Sequence, residues 1–134
     1  MLSGGFFLII DQTLKYYARS YPQFSYYLIE PWLGWEFYQN PGIAFGISFP
    51  TKLLIIITPI ILILFIFLFL NSKEKINYFA IFGLLTTGAI SNFIDRVLFG
   101  VTIDYLRIYT SLLNLADILI VISLIILIFN QLKK

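Results

Sequence analysis

Apolar residues run almost unbroken from Leu53 to Leu70. At helical rise this run reaches roughly 27 Å, about the hydrocarbon thickness of a bilayer. Pro59 lies inside it, which a membrane helix tolerates with a kink. A second apolar stretch, Ile76 to about Ile94, is less greasy and carries Gly83, Thr86, Thr87, Gly88, Ala89 and Ser91. Small residues at such spacings let helices approach closely. A third stretch runs from about Leu115 to Phe129. The N-terminal stretch, about Leu2 to Ala18, is interrupted by Asp11 and Lys15. The pattern predicts an all-α membrane protein, a bundle of four transmembrane helices over about 2–18, 53–70, 76–94 and 115–129. Residues 1–134 read as a single membrane-embedded domain.

The connections differ in kind. Asn71 to Lys75 is a short polar turn. The segment from Arg19 to Pro50 is long, aromatic and rich in Pro and Gly. Within it Trp35-Glu36-Phe37-Tyr38-Gln39-Asn40 suits an extended strand, with imperfect alternation. Val97 to Leu113 joins the third and fourth spans. With four spans, the two longer connections share one side, opposite both termini. Raw charge counts do not decide the orientation, since Arg19, Lys52, Arg96 and Arg107 lie on the other side, but Lys73, Lys75, Lys133 and Lys134, free in short segments, favour cytoplasmic termini.

Composition supports insertion and narrows the chemistry. Hydrophobic residues make up 60% and charged residues 12%, the latter about half the share of a soluble domain. Leu2 to Ile10 does not read as a cleavable signal, having no basic region before it and no small-residue cleavage site after it. The net charge of +2 is small and scattered, so no nucleic-acid footprint is expected. Cys and His are both absent. That excludes thiol nucleophiles, disulfides, the usual zinc sites and a Ser-His-Asp triad. Acid–base chemistry in this chain falls to carboxylates or lysines, and neither metal nor cofactor is expected.

Charge inside a bilayer costs at least about 2.5–3.5 kcal/mol per residue on insertion scales, so polar residues in or beside spans need a reason. Asp11 and Lys15, with Gln12 between them, are four apart and pair on one helix face. A self-neutralising anchor is their plain reading. Asn40-Pro41-Gly42 starts a tight turn. Asp95 and Arg96 lie near a helix end and suit structural ion pairs. Asp104 follows three residues suited to a strand. Asn114 suits an N-cap and Asp117 the first turn of the last helix. Because the third and fourth spans are consecutive, Asp104 and Asp117 are able to meet at one membrane face. Two close carboxyls share a proton, one acting as base and the other as acid. Such a dyad activates water without metal, thiol or imidazole.

Taken in order, these groups resemble the motifs of lipoprotein signal peptidases, the type II signal peptidases. Asp11-Gln12-x-x-Lys15 resembles the first, Asn40-x-Gly42-x-Ala44-Phe45 the second, Asn92-x-x-Asp95-Arg96 with Asp104 the third, and Asn114-x-Ala116-Asp117 the fourth. The likeness covers nearly the whole chain. It implies a four-helix bundle with both termini in the cytoplasm of a bacterium, a small extracytoplasmic β-like cradle, and a short interfacial helix within Arg19 to Pro50. It implies an aspartic endopeptidase of the inner membrane, with Asp104 and Asp117 as the catalytic pair near the extracytoplasmic face. Asp11, Lys15, Asn40, Gly42, Asn92, Arg96 and Asn114 become substrate-binding or supporting positions. The implied partners are a diacylglyceryl-modified prolipoprotein, cut just before its lipidated cysteine, and membrane lipid. A monomer is expected, since the substrate needs lateral access.

Ile43, Thr87 and Ser91 stand where the family usually has small residues, and Ile43 either narrows the substrate groove or shifts lipid preference. Only nine residues separate Asp104 from Asn114, and the chain before Asp11 is short. The rival from another class is a non-catalytic channel or transporter subunit, which predicts Asp11, Asp95 and Asp117 along one path through the bundle.

Overall fold

The structure is a computed structural model that describes residues 2–43, 47–71 and 75–132. Ala44, Phe45 and Gly46, Lys73 in the short turn, and Lys133 and Lys134 lie outside the described residues. The elements run α1 (Leu2–Ser20), β1 (Ser25–Ile29), β2 (Leu33–Asn40), α2 (Thr51–Asn71), α3 (Lys75–Phe99), β3 (Thr102–Ile108), β4 (Ser111–Leu113) and α4 (Leu115–Leu132).

Helix α2 buries none of its side chains although nearly all are apolar. Such a surface in water would be a large exposed hydrophobic patch, so its natural surroundings are lipid. Thr51–Asn71 and Phe79–Phe99 are long and apolar enough to cross a bilayer, and Leu115–Asn130 is a shorter apolar helix. Over its described residues, helix α1 is too polar to be read as a span from length and composition alone.

Helix α3 is the centre of the bundle: α1, α2 and α4 all pack on it. Gly88 lets α4 come close, because a Cβ there would sit 2.5 Å from the Ala116 carbonyl oxygen and 2.9 Å from the Ile120 side chain. Helix α3 extends past the expected end near Ile94 to Phe99. Asp95 and Arg96 can remain helical there because other elements supply their partners. Gly100 then stops the helix with φ of +73°, its N–H donating to the Arg96 carbonyl at 3.0 Å, the usual left-handed glycine terminator.

The two longer connections meet in one antiparallel sheet of order β1-β2-β3-β4. They therefore lie together, as expected. Strand β2 covers the expected 35–40 strand and begins two residues earlier. A register shift between Trp35 and Tyr38 explains the imperfect alternation of its sequence. Between Ser20 and Thr51 the described residues form strands and turns and no helix, which corrects the expected interfacial helix. Tyr26, Tyr27, Trp35, Phe37 and Tyr38 are residues that favour a pleated, half-buried surface. The sheet packs on α1 through Ala18, Ile103 and Tyr105, with Leu14, Trp35, Phe37 and Leu115 around them. This small core places the middle of β3 directly against the N-terminal end of α4.

Candidate active site

Strand β4 pairs with β3 only from Leu106 to Ile108. The first half of β3 therefore meets side chains where a neighbouring strand would be. The Ile103 N–H donates to Asp95 Oδ2 at 3.0 Å, and the Ile103 carbonyl accepts from Asn114 Nδ2 at 3.2 Å. Asp95 thus completes the sheet, and Lys15 pairs with it at 2.9 Å. The expectation that Asp95 is structural agrees with these partners.

Asp104 is fully buried. Its Oδ2 accepts from Asn40 Nδ2 at 2.9 Å and its Oδ1 from Asn114 Nδ2 at 2.7 Å. Asn114 also receives the Asp117 N–H on its Oδ1 at 2.9 Å, which is the N-cap bond expected from its position. One asparagine side chain therefore joins the Asp104 carboxyl to the backbone of Asp117. Asp117 Oδ1 in turn accepts from Asn92 Nδ2 at 2.8 Å. The structure thus brings Asp104 and Asp117 together, and Asp117 acts electrostatically on Asp104. Burial first, and the neighbouring Asp117 second, push the Asp104 carboxyl up to about 7, against the hydrogen bonds from Asn40 and Asn114.

Lys15 lies behind the pair. Its ammonium contacts Asp11 at 2.8 Å, Asp95 at 2.9 Å and Asn92 Oδ1 at 2.9 Å. The Asp11–Lys15 pair exists as expected, but it is wired to Asp117 through Asn92 as well. Ser91 Oγ donates to Asp11 Oδ2 at 2.6 Å, while Gln12 Nε2 donates to Ser91 Oγ at 2.9 Å and to Asp95 Oδ1 at 3.0 Å. Ser91 therefore adds a hydroxyl to this network where a smaller residue was anticipated. Among the described residues, four buried carboxyls (Asp11, Asp95, Asp104, Asp117) face two buried cations, Lys15 and Arg96.

Asn40 and Gly42 form the turn beside this network. Asn40 Oδ1 accepts the Gly42 N–H at 2.9 Å, an Asx turn, which aims the Asn40 amide at Asp104. Arg96 Nη2 approaches the Gly42 carbonyl at 3.4 Å, and its Nε has no hydrogen-bond partner among the described residues.

A cavity of about 300 Å³ opens beside Asp117. Asn92, Arg96 and Asp117 line it on one side, with Thr58 on α2, and its apolar walls come from α2, α3 and α4, among them Ile61, Phe65, Ala89 and Leu124. Ile43 lines it. Asp11, Asp95 and Asp104 do not line it, so this cavity is not the path that a channel reading requires, and Asp104 stands behind Asp117 rather than on the wall. Among the described residues no cluster of side chains suited to a metal ion occurs.

Sequence reasoning did not single out a role for Tyr105. Its hydroxyl donates to Asp11 Oδ1 at 2.7 Å and accepts the Leu115 N–H at 3.0 Å. The available signal was a tyrosine beside Asp104 within an apolar strand, where a ring alone would fill the core.

Comparison with known proteins agrees with the geometry. The model of the signal peptidase (SPase) II family matches residues 5–133. A lipoprotein signal peptidase of Caldanaerobacter subterraneus is 33% identical, over 91% of this chain and 88% of that protein. The lipoprotein signal peptidase of Staphylococcus aureus is 34% identical, over 99% of this chain and 87% of that one. A solved structure described as a bacterial membrane enzyme superposes with a TM-score of 0.88 at 33% identity, covering 98% of this chain and 86% of that chain. From the helices and sheet to the order of the polar motifs, this chain belongs to the signal peptidase II family, the lipoprotein signal peptidases.

Proposed function

We propose that this protein is an aspartic endopeptidase of the bacterial inner membrane, with Asp104 and Asp117 as its catalytic pair. It removes the signal peptide from diacylglyceryl-modified prolipoproteins by cutting before the lipidated cysteine. The observation that carries the reading is the Asn114 bridge, which joins the buried Asp104 carboxyl to the backbone of Asp117, and Asp117 lines an apolar cavity. Asp117, which lines the cavity, takes the proton from an attacking water. Asp104, buried and retaining a proton near neutral pH, polarises the scissile carbonyl and then protonates the leaving amine. The Arg96 guanidinium, on the polar side of the cavity, faces the backbone of the substrate. Asn40, Gly42, Asn92 and Asn114 orient the pair, and Asp11 and Lys15 brace it from behind.

All four helices cross the membrane in this reading, with both termini cytoplasmic and the sheet extracytoplasmic. The apolar cavity walls on α2 and α4 suit a lipid-bearing substrate that enters from the bilayer as a monomeric enzyme requires. The test is cleavage of a diacylglyceryl-modified prolipoprotein by the purified protein in detergent or lipid. Asp104→Asn and Asp117→Asn are each expected to lower kcat by about 100-fold or more while remaining folded. Near-normal turnover in either folded variant would remove that aspartate from the pair, with Asp95 the next candidate. A well-folded wild type that does not cut would favour a binding or transport role.

A further inference from the structure

We propose that Tyr105 is a positioning residue of the peptidase, its hydroxyl clamping β3 to the first turn of α4 and so fixing the separation of Asp104 and Asp117. The inference rests on the dyad reading above.

The first-turn amides of a helix have no partners within it. In α4 three consecutive ones are taken by groups from outside the helix body. The Leu115 N–H donates to the Tyr105 hydroxyl at 3.0 Å, the Ala116 N–H to Asp11 Oδ1 at 3.3 Å, and the Asp117 N–H to Asn114 Oδ1 at 2.9 Å. The Tyr105 hydroxyl itself donates to that same Asp11 oxygen at 2.7 Å. Tyr105 and Asp11 together therefore hold two amides just before Asp117.

Asp104 and Tyr105 are neighbours on one strand, so their side chains leave it in opposite directions. Asn114 grips the strand through the Asp104 carboxyl, and Tyr105 grips α4 from the other side. With both contacts made, β3 and α4 cannot slide or tilt apart without breaking a buried hydrogen bond. The phenol ring is fully buried and stacked on Trp35 with centroids 4.9 Å apart, which keeps the hydroxyl from swinging away. Burial, and then the charge of Asp11, push the phenol above its ordinary value, so it remains a donor at any working pH. A phenylalanine would fill the same core. The hydroxyl is the part that reaches both Asp11 and α4.

Tyr105→Phe removes that hydroxyl alone. Small displacements at a reacting centre cost large factors in rate, so kcat is expected to fall about ten-fold, with KM changed by less than about two-fold. The variant also leaves the Leu115 amide unpaired, which by itself would lower stability. Leu115→Pro separates the two effects. Proline lacks the N–H, suits the first helical position, and is compatible with the extended backbone of an N-cap before it. It breaks the Tyr105 link without leaving an orphaned donor. Leu115→Pro is expected to lower kcat as well, at little change in KM. The double variant should be no slower than Tyr105→Phe, because Tyr105→Phe already cuts the link to α4 that Leu115→Pro removes.

The measurements are steady-state cleavage of a lipidated prolipoprotein and thermal unfolding in detergent. Should Tyr105→Phe not fold, Leu115→Pro carries the test. Wild-type kcat in either folded single variant would overturn the clamp. So would recovery of activity when Leu115→Pro is added to Tyr105→Phe, since the loss would then come only from the unpaired amide. If the wild type does not cut, the peptidase reading fails first, and the clamp falls with it.

Discussion

At Asp104 two demands conflict. The carboxyl has no solvent exposure and shares its surroundings with Asp117, yet two amide donors stabilise its ionised form. Burial and the like charge win, leaving it near pH 7. The charged groups around it are Asp117 on α4, Asp11 and Lys15 on α1, and Asp95 and Arg96 on α3. Because the proposed acid must hold its proton, kcat/KM should fall as pH rises through about 7. The same shift acts on stability. A carboxyl held higher in the folded than in the unfolded state stabilises the fold fully below about pH 4, and that contribution is lost as pH rises through the folded value. Thermal unfolding in detergent should therefore show stability falling between about pH 4 and pH 7. Asp104→Asn should make that fall shallower. An unchanged slope in the variant would show that Asp104 is ionised throughout. The residue types of this site were legible in the sequence, because charge in an apolar chain is conspicuous. Their wiring was not. No spacing rule connects Lys15 to Asn92, or Asp95 to the Ile103 amide, since those contacts exist only once α1, α3 and β3 have packed.

At the level of elements, the pair depends on how closely α4 approaches α3. Gly88 sets that distance, with no room for a methyl between it and the Ala116 carbonyl. Ala116 directly precedes Asp117, so pushing α4 outward moves the turn that holds Asp117. Gly88→Ala is expected to cost about 1–3 kcal/mol by overpacking, and Gly88→Val more. Both should lower kcat through displacement of Asp117. Unfolding in detergent beside cleavage kinetics checks this, and a Gly88→Val enzyme of normal stability and turnover would show that the helices have slack. The small-residue pattern announced this close packing in advance. The helices were also legible, apart from the further reach of α3, which needed partners from α1 and β3 before Asp95 and Arg96 could stay helical. Strands β1 and β4 were harder to read. Ser111–Leu113 is too short to show a period, and Ser25–Ile29 is almost wholly apolar and exposed, so neither carries alternation.

Across the whole molecule, the sheet fixes which connections lie together. Strands β1 and β2 come from the chain between α1 and α2, and β3 and β4 from the chain between α3 and α4. If α2 crosses the membrane, the turn after Asn71 lies on the face opposite the sheet, and the four-span reading follows, because α1 and α4 each start or end at that sheet. Among the described residues, only α2 and α3 have the length and hydropathy to establish this alone. Helix α1 carries Asp11 and Lys15 at its inner face, where they neutralise each other against α3, so its sequence understates its fitness for the bilayer. The absence of cysteine makes the topology directly testable. Trp32→Cys, at the exposed tip of the sheet, should react with a membrane-impermeant maleimide added outside intact spheroplasts. Asn71→Cys should react only after permeabilisation. Labelling of both from outside would mean that α2 does not span, and the proposed lateral entry between α2 and α4 would lose its basis. Labelling of Asn71→Cys alone from outside would invert the protein and place the aspartates on the cytoplasmic face.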